Sequence, residues 1–93
     1  MSYSIEFTQA ASRDIRSIPK DLLNEISEDI DSLSENPRPH GHKKLKNKGN
    51  LFRIRTGKGR YRVVYSIEDE KLIVFVVLIS SRDRVYQILD RRT

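Results

Sequence analysis

Residues 51–79 read LFRIRTGKGRYRVVYSIEDEKLIVFVVLI, and the alternation of their side chains decides the fold. Phe52 and Ile54 alternate with Arg53 and Arg55. After the turn Gly57-Lys58-Gly59, the residues Tyr61, Val63, Tyr65 and Ile67 alternate with Arg60, Arg62, Val64 and Ser66. A period of two sends successive side chains to opposite faces of a strand, so two strands joined by a hairpin are expected, each with an apolar face. Glu68-Asp69-Glu70 makes a second turn. Residues 72–79 then form an unbroken run rich in Val and Ile, the pattern of an interior strand covered on both sides.

Upstream, Tyr3, Ile5 and Phe7 alternate with Ser4 and Glu6 as a half-buried strand does. Thr8 is placed to cap a helix. Ala11, Ile15 and Ile18 recur at helical spacing up to Pro19, which ends one helix and opens the next at its first position. Leu22, Leu23, Ile26, Ile30 and Leu33 stripe that second helix, and Asn36-Pro37-Arg38-Pro39 stops it. Residues 40–50 hold four lysines and one apolar residue, Leu45, and read as a mobile loop with a single anchor. Downstream, Ser81 is expected to cap a last short helix with Val85, Tyr86 and Leu89 facing inward. The order is β-α-α-β-β-β with a short C-terminal helix. That is an α+β fold, a helical hairpin packed on one face of a small, mostly antiparallel sheet, in a single domain over residues 1–93.

Ninety-three residues make one domain, and the absence of cysteine excludes a disulfide scaffold, thiolate metal sites and thiol catalysis. The longest apolar run is far shorter than the roughly 18 residues a membrane span needs. The N-terminus lacks the layout of a secretory signal, so a soluble intracellular protein with no membrane partner is expected. The net charge of +5 conceals a sharper asymmetry. Residues 1–36 carry 3 basic and 8 acidic side chains; residues 37–62 carry 10 basic and none acidic; residues 63–93 carry 5 of each. The middle stretch is either a solvated basic loop or a surface for a polyanion such as a phosphate backbone.

Placing these cations on strands favours the second reading. If Phe52, Ile54, Tyr61, Val63 and Tyr65 pack under the helices, Arg53, Arg55 and Arg62 emerge together from the other face. Neighbouring strands lie only about 4.8 Å apart, and like charges opposed across a sheet are destabilising. Arginine also clamps phosphate oxygens with two parallel donors and stacks on bases. Lys43, Lys44, Lys46, Lys48, Lys58, Arg60 and Arg84 extend this surface as candidate RNA contacts.

Several segments together resemble the RelE/ParE toxin superfamily of type II toxin–antitoxin systems. They are residues 51–57 (LFRIRTG), 59–65 (GRYRVVY), the apolar strand, residues 81–86 (SRDRVY), and Tyr3-x-Ile5-x-Phe7 ahead of a helical hairpin containing Ile18-Pro19. The resemblance spans nearly the whole chain and implies the same fold. For the RelE branch it implies ribosome-dependent cleavage of mRNA in the decoding site, silenced by a co-expressed antitoxin. By resemblance, Arg53 and Arg55 match a basic pair on the second strand of the family. Arg62 matches a phosphate-binding arginine, Arg82 the arginine after the last long strand, and Tyr86 a tyrosine near the C-terminus. The chain departs from the family in two places: the basic pair is often lysine, and many relatives carry histidine where this chain has Ser81.

Cleavage of RNA by its own 2′-OH requires that hydroxyl deprotonated, the phosphorane charge stabilised and the 5′-oxygen protonated. Arginine stays protonated, so Arg53, Arg55, Arg62 and Arg82 are stabilisers rather than bases. His40 and His42 lie in the lysine-rich loop and read as incidental. Tyr86 is either the titratable group, its phenol lowered by a cationic pocket, or a core tyrosine on the last helix. Weak acid–base groups imply slow action on free RNA, with the ribosome ordering mRNA for in-line attack. Gly57-Lys58-Gly59 lacks the spacing of a phosphate loop. No carboxylate lies between Arg38 and Arg62, so neither a metal nor a cofactor is expected, and the acidic residues of the helices read as a solvated outer face.

The function these points imply is a toxin of a type II toxin–antitoxin system, an endoribonuclease acting on ribosome-bound mRNA in a prokaryotic cytoplasm. Its partners would be an acidic, partly disordered, DNA-binding antitoxin in a hetero-oligomer, the ribosome and mRNA. A ParE-like inhibitor of DNA gyrase and a non-catalytic nucleic-acid-binding protein are the alternatives.

Overall fold

The structure, a computed structural model, describes residues 2–92. Its elements are β1 (Ser4–Phe7), α1 (Gln9–Arg16), α2 (Lys20–Ser32), β2 (Lys43–Lys44), β3 (Leu51–Thr56), β4 (Tyr61–Glu68), β5 (Ile73–Ser81) and α3 (Val85–Arg92). The five strands form one sheet in the order β1-β5-β4-β3-β2. Only β1 and β5 run parallel, with Ser4 beside Ile73 and Phe7 beside Val76.

The helical hairpin covers one face, as the apolar spacing implies. Ala11, Ile18, Leu22, Ile26, Ile30 and Leu33 bury themselves against Ile54, Val63, Tyr65, Ile67, Val74, Val76 and Ile79. Thr8 caps α1, its Oγ1 accepting the Ala11 N–H at 3.2 Å. Pro19 is the cap residue of α2 rather than its first helical residue, and the polypeptide turns between the helices at Ser17.

A β-bulge sets what the two faces of β5 carry. Val64 lies opposite Leu78 and Tyr65 opposite Val76, so Val77 is an extra residue. The bulge switches the alternation: Val74, Val76 and Ile79 face the helical hairpin, and Leu78 joins Val64 on the far face. Beyond Val76 the neighbouring strand has ended, and other elements satisfy the exposed backbone. Thr8 N–H donates to Val76 O at 3.0 Å, Ile79 N–H donates to Asp14 Oδ2 at 3.0 Å, and Arg92 Nη1 donates to Val77 O at 3.0 Å.

The structure departs from the sequence-based expectations near the C-terminus and in the lysine-rich loop. Ser81 ends β5 instead of capping α3, and a turn over residues 82–84 intervenes. Helix α3 packs on the sheet face opposite the hairpin, where Val85 and Leu89 join Leu45, Val64 and Leu78 in a second apolar cluster. Tyr86 does not share that face; it is 51% exposed. Residues 85 and 89 are one helical turn apart, whereas residue 86 is rotated about 100° from residue 85. The lysine-rich loop contains a short strand, with Lys43 paired to Arg53 and Lys44 to Phe52, and Leu45 anchors it as expected.

Candidate nucleic-acid interface

The site is built on the face of β3 and β4 turned away from the helical hairpin. Their register sets Arg55 directly opposite Arg62. Arg62 Nη1 donates to Gly59 O at 2.9 Å and to Tyr61 O at 3.0 Å, so the guanidinium curls back over the β3–β4 turn. Burial holds its pKa below the ordinary guanidinium value, and repulsion from Arg53 and Arg55, then from Arg82, acts in the same direction. Tyr86 opposes that shift. The other four residues matched to the family's functional positions thus all act electrostatically on Arg62.

Arg53 requires a correction. It is only 6% exposed, not part of an open arginine face: β2 pairs alongside β3 with Lys43 opposite Arg53, and the lysine-rich segment and Tyr86 line a cavity with it. Its Nη1 donates to Gly41 O at 3.4 Å. Lys43, Lys44, Lys46, Lys48, Arg53 and Tyr86 line one cavity of ≈ 380 Å³. A second cleft that Arg53 also lines, of ≈ 470 Å³, runs past Asp29, His40, Gly41, Lys43 and Arg55.

The remaining candidates divide. Lys43, Lys44 and Lys46 are exposed, and Lys58 and Arg60 stand exposed on the hairpin turn. Lys48 Nζ is ion-paired with Asp90 of α3, which neutralises it and ties the helix to the loop. Arg82 is open to solvent with Asp83 3.8 Å away, and its backbone N–H donates to Arg60 O at 2.8 Å. Arg84 stands apart, lining a cavity with Asp14, Ser17 and Ile18 at the end of α1.

Sequence reading missed the partners of several charged residues. Arg38 clasps Asp69 (Nη1 to Oδ1 3.2 Å, Nη2 to Oδ2 2.8 Å), and Tyr3 O–H donates to the same carboxylate at 2.7 Å. These contacts hold the Asp69 carboxyl below its ordinary pKa. Arg38 also lies 5.8 Å over the Phe52 ring, which stacks in turn on Tyr65. One of the ten cations in the basic stretch is therefore engaged away from the arginine cluster. The acidic residues of the helices are not simply a solvated face. Asp14 pairs with Arg92, Asp29 accepts from Thr56 Oγ1 at 2.6 Å, and Glu25 accepts from Lys58 N–H at 3.0 Å. Such pairs span 27 to 78 residues, and local spacing carries no signal for them.

The assembled surface presents several guanidiniums, a lysine-lined cavity and an exposed phenol, a combination chemically suited to a phosphodiester and to added negative charge on it. His42 Nδ1 faces Pro39 O at 2.8 Å and donates to it. Among the described residues, no three His, Asp or Glu side chains gather where they would hold a metal ion.

Comparison with known proteins places this geometry in context. Residues 5–86 match the model of the ParE toxin of the type II toxin–antitoxin system parDE. The mRNA interferase toxin RelE of Escherichia coli is 27% identical over 84 residues, covering 90% of this chain and 87% of its own. Toxin RelG of Mycobacterium tuberculosis is 30% identical over 88 residues, covering 94% of this chain and 99% of its own. The isolated E. coli RelE toxin superposes with a TM-score of 0.75 at 26% identity, over 98% of both chains. The toxin in the M. tuberculosis RelBE2 toxin–antitoxin complex superposes with a TM-score of 0.74 at 28% identity, over 88% of this chain and 100% of that one.

Proposed function

The chain belongs to the ParE toxin family of type II toxin–antitoxin systems, and on that premise we propose that it is a RelE-like mRNA interferase that cuts mRNA in the decoding site of the ribosome. The observation that carries this reading is the opposition of Arg55 and Arg62 across β3 and β4, with Arg53, Arg82 and Tyr86 around them. Curated relatives that carry the name mRNA interferase support it.

In the proposed reaction the ribose 2′-OH loses its proton and attacks the adjacent phosphorus. The bond to the 5′-oxygen breaks, and that oxygen takes up a proton. Arg62 and Arg55 neutralise the charge that grows on the non-bridging oxygens, and Arg53 adds to the field from beneath the surface. The exposed Tyr86 phenol, which lines a cavity with Arg53, is the group proposed to carry a proton. His40 and Asp29 line the cleft beside Arg53 and Arg55, and the ribosome contributes by holding the mRNA in line for attack.

Solved relatives in complex with antitoxins support an antitoxin partner for this chain. An acidic, partly disordered segment is the chemistry that would cover the cationic face, and a DNA-binding part completes the expected partner. Among the described residues no helix is long and apolar enough to cross a membrane. The proposed site of action is the cytoplasm, where ribosomes are.

The matching family is named for the ParE toxin, and the second reading is a ParE-like inhibitor of DNA gyrase without nuclease chemistry. Pulse labelling after induced expression separates the two. Amino-acid incorporation is expected to stop before thymidine incorporation. Replication failing first, with protein synthesis continuing, would assign the gyrase target instead.

A further inference from the structure

Arg62 serves a phosphate best if its guanidinium is already aimed, and the β3–β4 turn is what aims it. The two carbonyls that hold Nη1, those of Gly59 and Tyr61, belong to this turn and its exit. The same turn holds the backbone of Arg82 through Arg60 O. Its course is unusual: Gly57, Lys58 and Gly59 have φ of 60°, 58° and 79°, three successive residues in the left-handed region. Lys58 carries a Cβ that disfavours this conformation, so contacts outside the turn must maintain it.

Those contacts come from α2. Glu25 Oε2 accepts the Lys58 N–H at 3.0 Å. One residue along the helix, Ile26 packs so closely that a Cβ on Gly57 would stand 3.2 Å from its Cδ1 and 3.2 Å from Tyr61 Cδ1. The helix therefore meets the turn through one hydrogen bond and one apolar contact, and Asp29 of the same helix accepts from Thr56 Oγ1 just before it.

We propose that Glu25 is a positioning residue for the arginine cluster. Its carboxylate pins the Lys58 N–H, keeps the turn in its left-handed course, and so fixes the Gly59 and Tyr61 carbonyls against which Arg62 is aimed. Charge alone gives the opposite expectation: a carboxylate beside a cationic turn weakens its attraction for RNA, and its removal would then strengthen binding. The two views part over Glu25→Gln, which keeps the acceptor oxygen and loses the charge. The proposal deepens the mRNA-interferase reading and rests on it for the cleavage measurement only.

The test begins without RNA, on the full chain, with arginine side-chain NMR of wild type, Glu25→Gln and Glu25→Ala. Rotation about the Cζ–Nη1 bond of Arg62 is expected to be slowed in wild type and in Glu25→Gln. In Glu25→Ala it should be about ten-fold faster, with an unchanged circular dichroism spectrum. On mRNA-programmed ribosomes, Glu25→Ala is expected to lower kcat about ten-fold with little change in KM, and Glu25→Gln to restore it. In an Arg62→Ala background the same change should have no further effect. Unchanged Arg62 dynamics in Glu25→Ala, or full additivity with Arg62→Ala, would overturn the proposal. If wild type cuts no mRNA while Arg62 still responds to Glu25→Ala, the positioning role stands and the interferase reading falls.

Discussion

Arg62 has five N–H donors, and two of them are engaged by the Gly59 and Tyr61 carbonyls, which leaves three for a ligand. Arg62→Ala is expected to slow RNA cleavage at least about 100-fold, the cost of about 2–4 kcal/mol for one lost stabiliser of transition-state charge. The stability of the fold should change by no more than about 1 kcal/mol, because the two lost hydrogen bonds are offset by relief of repulsion from Arg53 and Arg55. Cleavage and urea unfolding measured on one preparation check both parts. A second residue, Tyr65, ties stability to pH. It is fully buried, its O–H donates to Pro37 O at 2.7 Å, and burial pushes its phenol up to about 12. The folded pKa lies above the unfolded value near 10, so the unfolded chain loses its proton first as pH rises. The contribution is complete below about pH 10 and is lost as pH rises toward about 12. Unfolding free energy should fall more steeply between about pH 10 and 12 in wild type than in Tyr65→Phe. Equal slopes would contradict a buried neutral phenol.

At the scale of elements, α3 is the piece whose attachment is most exposed to change. It buries Val85 and Leu89, and is otherwise held by the Lys48–Asp90 pair and by Arg92, which clasps Asp14 with two bonds of 2.9 Å. Arg92→Ala removes that clasp and the bond to Val77 O. Amide exchange in α3 is expected to quicken about ten-fold while the α2 core amides keep wild-type rates. Uniform quickening along the chain would mean that α3 unfolds only with the whole domain. The same elements show where sequence reading succeeds. Period two over residues 52–67 is enough to place Arg55 and Arg62 on one face, because the hairpin closes locally and its apolar partners lie on the same strands. The α2 stripe is legible for the same reason. The bulge at Val77 is not, since it exists only in the pairing of β5 with β4, and it switches which face later residues occupy. Strand β2 has no apolar signal, because its two residues are exposed lysines held by the backbone of β3. The burial of Arg53 follows from that strand and was hidden with it. On α3, three apolar residues at 85, 86 and 89 look like one face, and only the packing of residues 85 and 89 against β4 and β5 shows that Tyr86 points away.

Over the whole molecule the two sheet faces divide the work. One face holds the helical hairpin and most of the core; the other carries α3 and, beside it, the cations of β3 and β4. The acidic helices and the basic hairpin meet at the β3–β4 turn, where a carboxylate from the first supports the geometry of the second. Charge counting alone reaches a polyanion surface, and strand period reaches an arginine cluster. The order and support within that cluster come from contacts between residues far apart in the chain. The central claim is that this cluster cuts mRNA on the ribosome. Mapping the 3′ ends of a defined mRNA on purified, programmed ribosomes, with wild type and Arg62→Ala at equal concentration, tests it most directly. Wild type should cut within the decoding site, only when ribosomes are present, with Arg62→Ala at least about 100-fold slower. An mRNA left intact by wild type, or cut equally fast by Arg62→Ala, would contradict the account.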